Sequence, residues 1–338
     1  MKRLSLKDVA KLAGVAPSTV SFVLNGKAKQ MRISDELADK IRAIVRKSGY
    51  QPHQVAVNLR TGQSKILGLI VESISGSFFA SLAGTIESEA EKYGYRIVYC
   101  STENDAKKGA ELINMLSRQQ VDGYLITPVA GMEQDIQQLM EYNKPIVLMD
   151  SYFPGLPAPH VLIDSYGSVA KGMEHLIKKG HKHIGLVTVD MDMVQIKERT
   201  KAYVDTLKEH GIPQRKKYQL KLPYNLDKEA AITAITQYLE VNPKLDAIFF
   251  TTNYLGIRGL ETFVKLGLNL PKDLAMVCFD DHDLFRLYPP GITVIEQPVE
   301  EIAKTAIRML MQQLNQVKGG AKKWQVALPG KFIVRGSS

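Results

Sequence analysis

Residues 5–25, SLKDVAKLAGVAPSTVSFVLN, read as two short helices folded against each other. Leu6, Val9, Ala10 and Ala13 recur at i, i+3, i+4 and i+7, which makes one apolar stripe. Gly14 ends that helix, and Pro17 stands where a first helical turn tolerates it. In the second helix Val20, Val23 and Leu24 share one face, while Ser18, Ser21, Phe22 and Asn25 share the opposite one. A helix with a core face and a small polar face, one tight turn after another helix, is the geometry that lays a recognition helix in the DNA major groove. Periodicity alone would suit any two-helix hairpin of a bundle. Charge decides between them.

Residues 1–63 hold twelve Lys or Arg (residues 2, 3, 7, 11, 27, 29, 32, 40, 42, 46, 47 and 60) against four acids, Asp8, Asp35, Glu36 and Asp39. That excess of eight is nearly the whole net charge of +9, so the other 275 residues are close to neutral. Positive charge confined to the segment that carries the helix pair is the footprint of phosphate binding.

The remaining composition sets bounds. A chain of 338 residues, 45% hydrophobic, can build two or three domains with real cores. No apolar run reaches the length of a membrane span, and Met1-Lys2-Arg3 leads into a polar helix rather than a secretion signal, so a cytoplasmic protein is expected. Cys100 and Cys278 each lie in an apolar strand-like run, far apart, and are expected to be buried unpaired thiols.

A third helix is expected from Asp35 to Ser48, with Leu37, Ile41, Ile44 and Val45 on one side and Ser34 as its N-cap. The three helices form an all-α domain over residues 1–50. Residues 51–64 follow as hinge helix and linker, opening with the extended break at Tyr50-Gln51-Pro52-His53. From Lys65 short apolar strands alternate with amphipathic helices. Strands are expected at Ile66–Val71, Ile97–Cys100, Tyr124–Ile126, Ile146–Met149, Val161–Ile163, Ile184–Val189, Ala247–Phe250 and Ala275–Phe279. Helices are expected near Phe79–Tyr93, Ala106–Gln119, Glu133–Tyr142, Ser168–Lys179, Ile196–His210, Lys228–Leu239 and Gly256–Leu266. That alternation predicts α/β lobes with parallel sheets covered on both faces. More than eight such units exceed one comfortable sheet, so two similar lobes are expected, with ligand held in a crevice at the strands' carboxyl ends.

With these segments in view, the chain resembles the lactose-repressor (LacI/GalR) family of bacterial transcription regulators over essentially its full length. LKDVAKLAGVAPSTVSFVLN, YQPHQVAVNL, KILGLIVESISGSFFASLAGTIESEAEKYGY, QQVDGYLITP, KGHKHIGLV, VCFDD and the closing FIVRGSS carry the resemblance in order and spacing. It implies a homodimeric repressor on palindromic operator DNA, with a periplasmic-binding-protein-like domain over residues 65–338. The first lobe would take about 65–162 and 295–323, the second about 163–294 and 324–338. Crossings between lobes would fall near His160–Ile163, Thr293–Glu296 and Ala321–Trp324.

Carried over residue by residue, the resemblance puts base reading on Pro17, Ser18 and Phe22, with Thr19, Ser21 and Asn25 as phosphate or edge contacts and Ser5 added to the DNA-binding set. Phe22 stands where a polar or basic residue is usual, and a bare aromatic there suits a thymine methyl. The alternative is that Phe22 tucks into the small core. The 25–34 connection looks about three residues longer than in familiar members, and its Lys27, Lys29 and Arg32 offer extra phosphate contacts. Ala56 and Leu59 match the paired hinge helices, with Leu59 as the minor-groove wedge, and His53 replaces the more usual Asn.

For the effector, the resemblance points to Phe78, Phe79, Asp150, Arg199, Asn253 and Asp280. An arginine fork beside a carboxylate suits vicinal hydroxyls or a carboxylate-bearing ligand. A carbohydrate or sugar derivative is the expected effector, on family frequency. Glu72 and Asn253 depart from the residues common at their positions, and Tyr224 is a candidate aromatic wall. Trp324 is expected near the third crossing rather than in the site.

No phosphate-cradling loop, nucleophile elbow or zinc-protease motif occurs, so no catalytic residue, metal or cofactor is expected. His181 and His183 read as solvated loop residues. A periplasmic-type solute-binding protein is the competing class, and the basic head argues against it.

Overall fold

In a computed structural model the described residues are 4–50, 62–315 and 324–338. They fall into two compact units, Met1–Ser64 and Lys65–Ser338.

The first unit is a three-helix domain. Helix α1 (Leu6–Ala13) starts at Ser5, whose side chain accepts from the Asp8 amide while Asp8 receives the Ser5 amide, a reciprocal capping box. It ends at Gly14, in the left-handed region at φ 72°, a conformation that costs a glycine little. Helix α2 (Pro17–Leu24) has Pro17 at its first position. Helix α3 (Asp35–Ser48) is capped by Ser34, which accepts from the Leu37 amide at 3.3 Å. Val9, Ala10, Ala13, Val20, Val23, Ala28, Ala38 and Ile41 are buried together as the core. Leu37, Ile44 and Val45 pack at its margin. The residues of the expected hinge, His53, Ala56 and Leu59 among them, lie outside the described residues.

The second unit holds two six-stranded sheets. Its strands are β1 (Ile66–Val71), β2 (Arg96–Ser101), β3 (Gly123–Ile126), β4 (Ile146–Met149), β5 (His160–Ile163), β6 (Ile184–Val189), β7 (Gln219–Leu222), β8 (Ala247–Phe250), β9 (Ala275–Phe279), β10 (Thr293–Glu296), β11 (Gln325–Leu328) and β12 (Lys331–Ile333). The first sheet runs β11-β5-β4-β3-β1-β2, all parallel. The second runs β12-β10-β9-β8-β6-β7, parallel except that β12 opposes β10. Apolar cores lie on both faces of each sheet, which is why the central strands are continuous apolar runs rather than alternating ones.

Several expectations need correction. The crossings between sheets come later than expected, because residues 160–163, 293–296 and 325–328 are themselves strands. The chain changes sheet after Ile163, after Glu296 and across Pro329–Gly330. Gln325–Leu328 therefore pairs with His160–Ile163 in the first sheet, not the second. Several helices begin two or three residues earlier than expected, at Ser77, Ser165 and Asn253. The helices Asp283–Leu287 and Val299–Leu314, the latter packed on the first lobe's core, and strands β7, β10, β11 and β12 are additions to the expected elements.

Cys278 is buried, but Cys100 is only half-buried, and both are unpaired. His181 and His183 are half-buried rather than solvated. Asp246 gathers their loop, accepting from the Lys182 amide at 2.9 Å and the His183 amide at 3.1 Å, with His181 Nδ1 3.5 Å away. Trp324 packs at the edge of the first lobe's core, and its carbonyl accepts from the His160 amide.

Candidate functional site

A cavity of about 570 Å³ opens between the two sheets, within the range that encloses small ligands. Phe78, Phe79, Asp150, Arg199, Asn253 and Asp280 all line it. They come together because each follows the carboxyl end of a strand or opens a helix that does. Asp150 follows β4, Asp280 follows β9, and Asn253 begins the helix Asn253–Leu266 after β8. Arg199 projects from the helix Val194–Glu209 after β6. Phe78 and Phe79 sit in the first turn of the helix Ser77–Glu91 after β1, their rings edge to face at 5.0 Å.

Arg199 is the electrostatic centre. It is buried, its Nη1 donates to the Thr251 carbonyl at 2.7 Å, and its guanidinium lies 3.6 Å from the centre of the Phe279 ring. Three carboxyl groups share this one cation. Burial raises Asp150 above the usual carboxylate range, with Arg199 and the Gln195 amide pulling back. Burial pushes Asp280 up to about 6, again against Arg199 and the Gln297 amide, while Asp150 adds to the rise. Glu72 goes furthest, up to about 7, through burial and the charge of Asp150, opposed by the Tyr224 hydroxyl and Arg199.

Hydrogen bonds cross the cavity from lobe to lobe. Gln195 Nε2 donates to Asp150 Oδ2 at 3.0 Å, and Asn253 Nδ2 to Ser77 Oγ at 3.2 Å. Tyr224 of the second lobe and Glu72 of the first both line the cavity. Tyr224 and Tyr254 stand edge to face, centroids 6.5 Å apart, as an aromatic corner of the second lobe.

Gln195, Gln297 and Tyr254 join the site without having been singled out from the sequence. The signal was present, since Gln195 lies in the first turn of a helix after β6 and Gln297 directly follows β10.

In the first unit, Pro17, Ser18 and Asn25 are exposed and Thr19, Ser21 and Phe22 half-exposed, along the side of α2 opposite Val20 and Val23. Phe22 is not part of the core cluster. Ser5 is engaged in the α1 cap, and Asn25 Nδ2 turns back onto the Ser21 carbonyl at 2.5 Å. Lys27, Lys29 and Arg32 are exposed on a turn held by the buried Ala28, whose carbonyl accepts from the Ile33 amide at 2.9 Å.

Comparison with known proteins accords with both units. The pattern of bacterial regulatory proteins of the lacI family matches residues 5–53, and that of a periplasmic binding protein-like domain matches residues 173–338. Catabolite control protein A of Priestia megaterium is 30% identical over 314 residues, covering 93% of each chain. The ribose operon repressor of Haemophilus influenzae is 29% identical over 311 residues, covering 92% of each. The crystal structure of the lac repressor dimer bound to operator and the anti-inducer ONPF superposes with a TM-score of 0.84 at 21% identity, over 99% of each chain. A basic three-helix head, a two-lobed ligand domain and these relatives agree, and the chain belongs to the lacI family of bacterial regulatory proteins.

Proposed function

We propose that this regulator represses transcription as a homodimer, presenting one α2 helix to each half-site of a palindromic operator in cytoplasmic DNA. Pro17, Ser18 and Phe22 read base edges, with Phe22 against a thymine methyl, while Ser5, Thr19, Ser21, Asn25, Lys27, Lys29 and Arg32 hold phosphates or groove edges. His53, Ala56 and Leu59 supply the hinge contacts.

The crevice binds rather than catalyses. Its effector is a small polar molecule, a carbohydrate or a derivative of one, held by Phe78, Phe79, Asp150, Arg199, Asn253 and Asp280. The name of the ribose operon repressor supports a sugar-class ligand. Effector that favours one separation of the lobes biases operator affinity by its differential binding to the two states.

The observation that carries this reading is the concentration of the chain's net positive charge in a segment whose second helix turns a polar face outward. Selection of duplexes from a random pool, followed by anisotropy titration of the winner, tests it. A palindromic consensus is expected, with affinity falling steeply as salt rises. Failure to retain any duplex in dilute buffer, with or without a panel of sugars, overturns it.

A further inference from the structure

We infer that the effector is a glycoside with an apolar aglycone, its sugar held among Asp150, Arg199 and Asp280 and its aglycone, an aromatic ring above all, laid on an apolar floor of the second lobe. The inference rests on the crevice being the effector site and goes on to name the ligand's chemistry.

The floor is a contiguous part of the cavity wall, made by Val189, Met191, Ile196, Leu222, Leu226 and Leu255. Val189 and Leu222 are register partners at the carboxyl ends of β6 and β7. Ile196 and Leu255 stand in the first turns of the helices after β6 and β8. These four belong to one core cluster of the second lobe, and Met191, Leu226, Tyr224 and Tyr254 pack on it partly buried. The polar end of the crevice lies further along the same sheet. Asp280 follows β9 and Leu222 ends β7, and the order β9-β8-β6-β7 sets them three strand places apart, about 14 Å at ordinary strand spacing. One sugar ring fills only part of that span.

The chemistry of the floor says what fills the rest. None of its six side chains carries a nitrogen or an oxygen. A second sugar ring laid on them would strip water from its hydroxyls and offer them no partner there, and the ring nitrogens and carbonyls of a nucleobase would fare no better. An apolar group has the opposite balance. Met191, Leu226 and the ring of Tyr224 are only partly buried, so the ligand-free chain leaves apolar surface that an aglycone would take out of water. Tyr224 and Tyr254 continue the floor with two rings whose planes meet at 86°. An aromatic aglycone can meet such a corner in the offset or edge-on contacts that rings favour.

The test is calorimetric titration of the full chain at neutral pH with the methyl and phenyl glycosides of glucose, galactose, mannose and fucose in both anomers, beside maltose, cellobiose, lactose, uridine and adenosine. At least one phenyl glycoside is expected to bind about tenfold tighter than the methyl glycoside of the same sugar and anomer, a difference of about 1.4 kcal/mol, with a more negative heat-capacity change. Met191→Gln and Leu226→Gln should each bring that phenyl glycoside towards the level of its methyl counterpart. Should either variant melt early, the heat-capacity difference in the parent chain decides. Phenyl glycosides no tighter than methyl ones overturn the inference. So does a disaccharide or a nucleoside that outbinds every phenyl glycoside, or a preference that survives both substitutions. Methyl glycosides or disaccharides that bind without any phenyl preference sink the inference alone and leave the crevice a sugar site, whereas silence from every compound sinks both.

Discussion

Asp150 and Asp280 are counterparts in the two lobes. Each follows the third strand of its sheet order, β4 in one and β9 in the other, and each has a left-handed backbone, φ 62° and 70°. Each accepts a hydrogen bond from a glutamine, Gln195 and Gln297 respectively. Non-glycine residues seldom take this conformation, and when they do the surrounding structure has a use for it. Here it places matching carboxyls on opposite walls of one cavity, with Arg199 acting on both.

That pairing sets a pH dependence. Glu72 and Asp280 hold their protons more tightly in the folded chain than in the unfolded one. Their contribution to stability is therefore complete below the ordinary carboxylate range and is lost as pH rises through about 6 for Asp280 and about 7 for Glu72. Urea melts of the ligand-free chain should show the Lys65–Ser338 unit losing stability across that window. The Glu72→Gln variant should lose less of it, and an unchanged slope in that variant would contradict the assignment.

The hydrogen bonds across the crevice should govern how far it opens. Gln195→Ala and Asn253→Ala each remove one bond of about 0.5–1.5 kcal/mol net. Small-angle scattering of the double variant without ligand should show a larger radius of gyration than the parent. Identical scattering curves would mean that these bonds do not hold the lobes together.

Phe22 and Ile41 should part company. Ile41 is fully buried in the head, and Ile41→Ala should cost about 2–5 kcal/mol of its stability. Phe22→Ala should cost less than about 1 kcal/mol, since the ring stands outside the core, and should change base preference at one or two operator positions. Binding selections on both variants read this directly. A uniform loss across all sequences with Phe22→Ala would contradict base reading.

The turn after α2 should act through charge alone. Replacing Lys27, Lys29 or Arg32 with Ala should lower the slope of log affinity against log salt by about one for each phosphate left without its cation, with no change in sequence preference. A slope that stays constant through the triple variant would remove the turn from the interface.

Much of this was legible in the chain itself, for reasons that differ from place to place. The head could be read from Leu6, Val9, Ala10 and Ala13 because an eight-residue helix with one buried stripe leaves an unmistakable period. The crevice residues came from the family resemblance, and their position agrees with the rule that parallel sheets build ligand sites at strand ends, since residues 150 and 280 each close an apolar run. Ile302, Ala303, Ala306, Ile307 and Leu310 carry as clear a helical period in Val299–Leu314, and that helix could have been found the same way. The short strands Gln325–Leu328 and Lys331–Ile333 could not, because they are half-exposed and gain their partners only from strands far away in sequence. The buried oxygens Gln195 Oε1 and Gln297 Oε1, which have no hydrogen-bond partner, were likewise invisible, because which atom of an amide lacks a partner depends on the wall opposite and no local pattern records it.

The three passages between the sheets run beside one another: the third meets the second where Lys331 pairs with Glu296, and it is bonded to the first. The Asp164 amide donates to the Leu328 carbonyl at 2.7 Å, and the Gly330 amide to Ser168 Oγ at 3.2 Å. A single connecting strand would let the halves swivel and slide in any direction. Three strands laced side by side leave essentially one soft coordinate, a rocking about the line they define. A ligand with unequal affinity for the two ends of that movement would shift it by the difference.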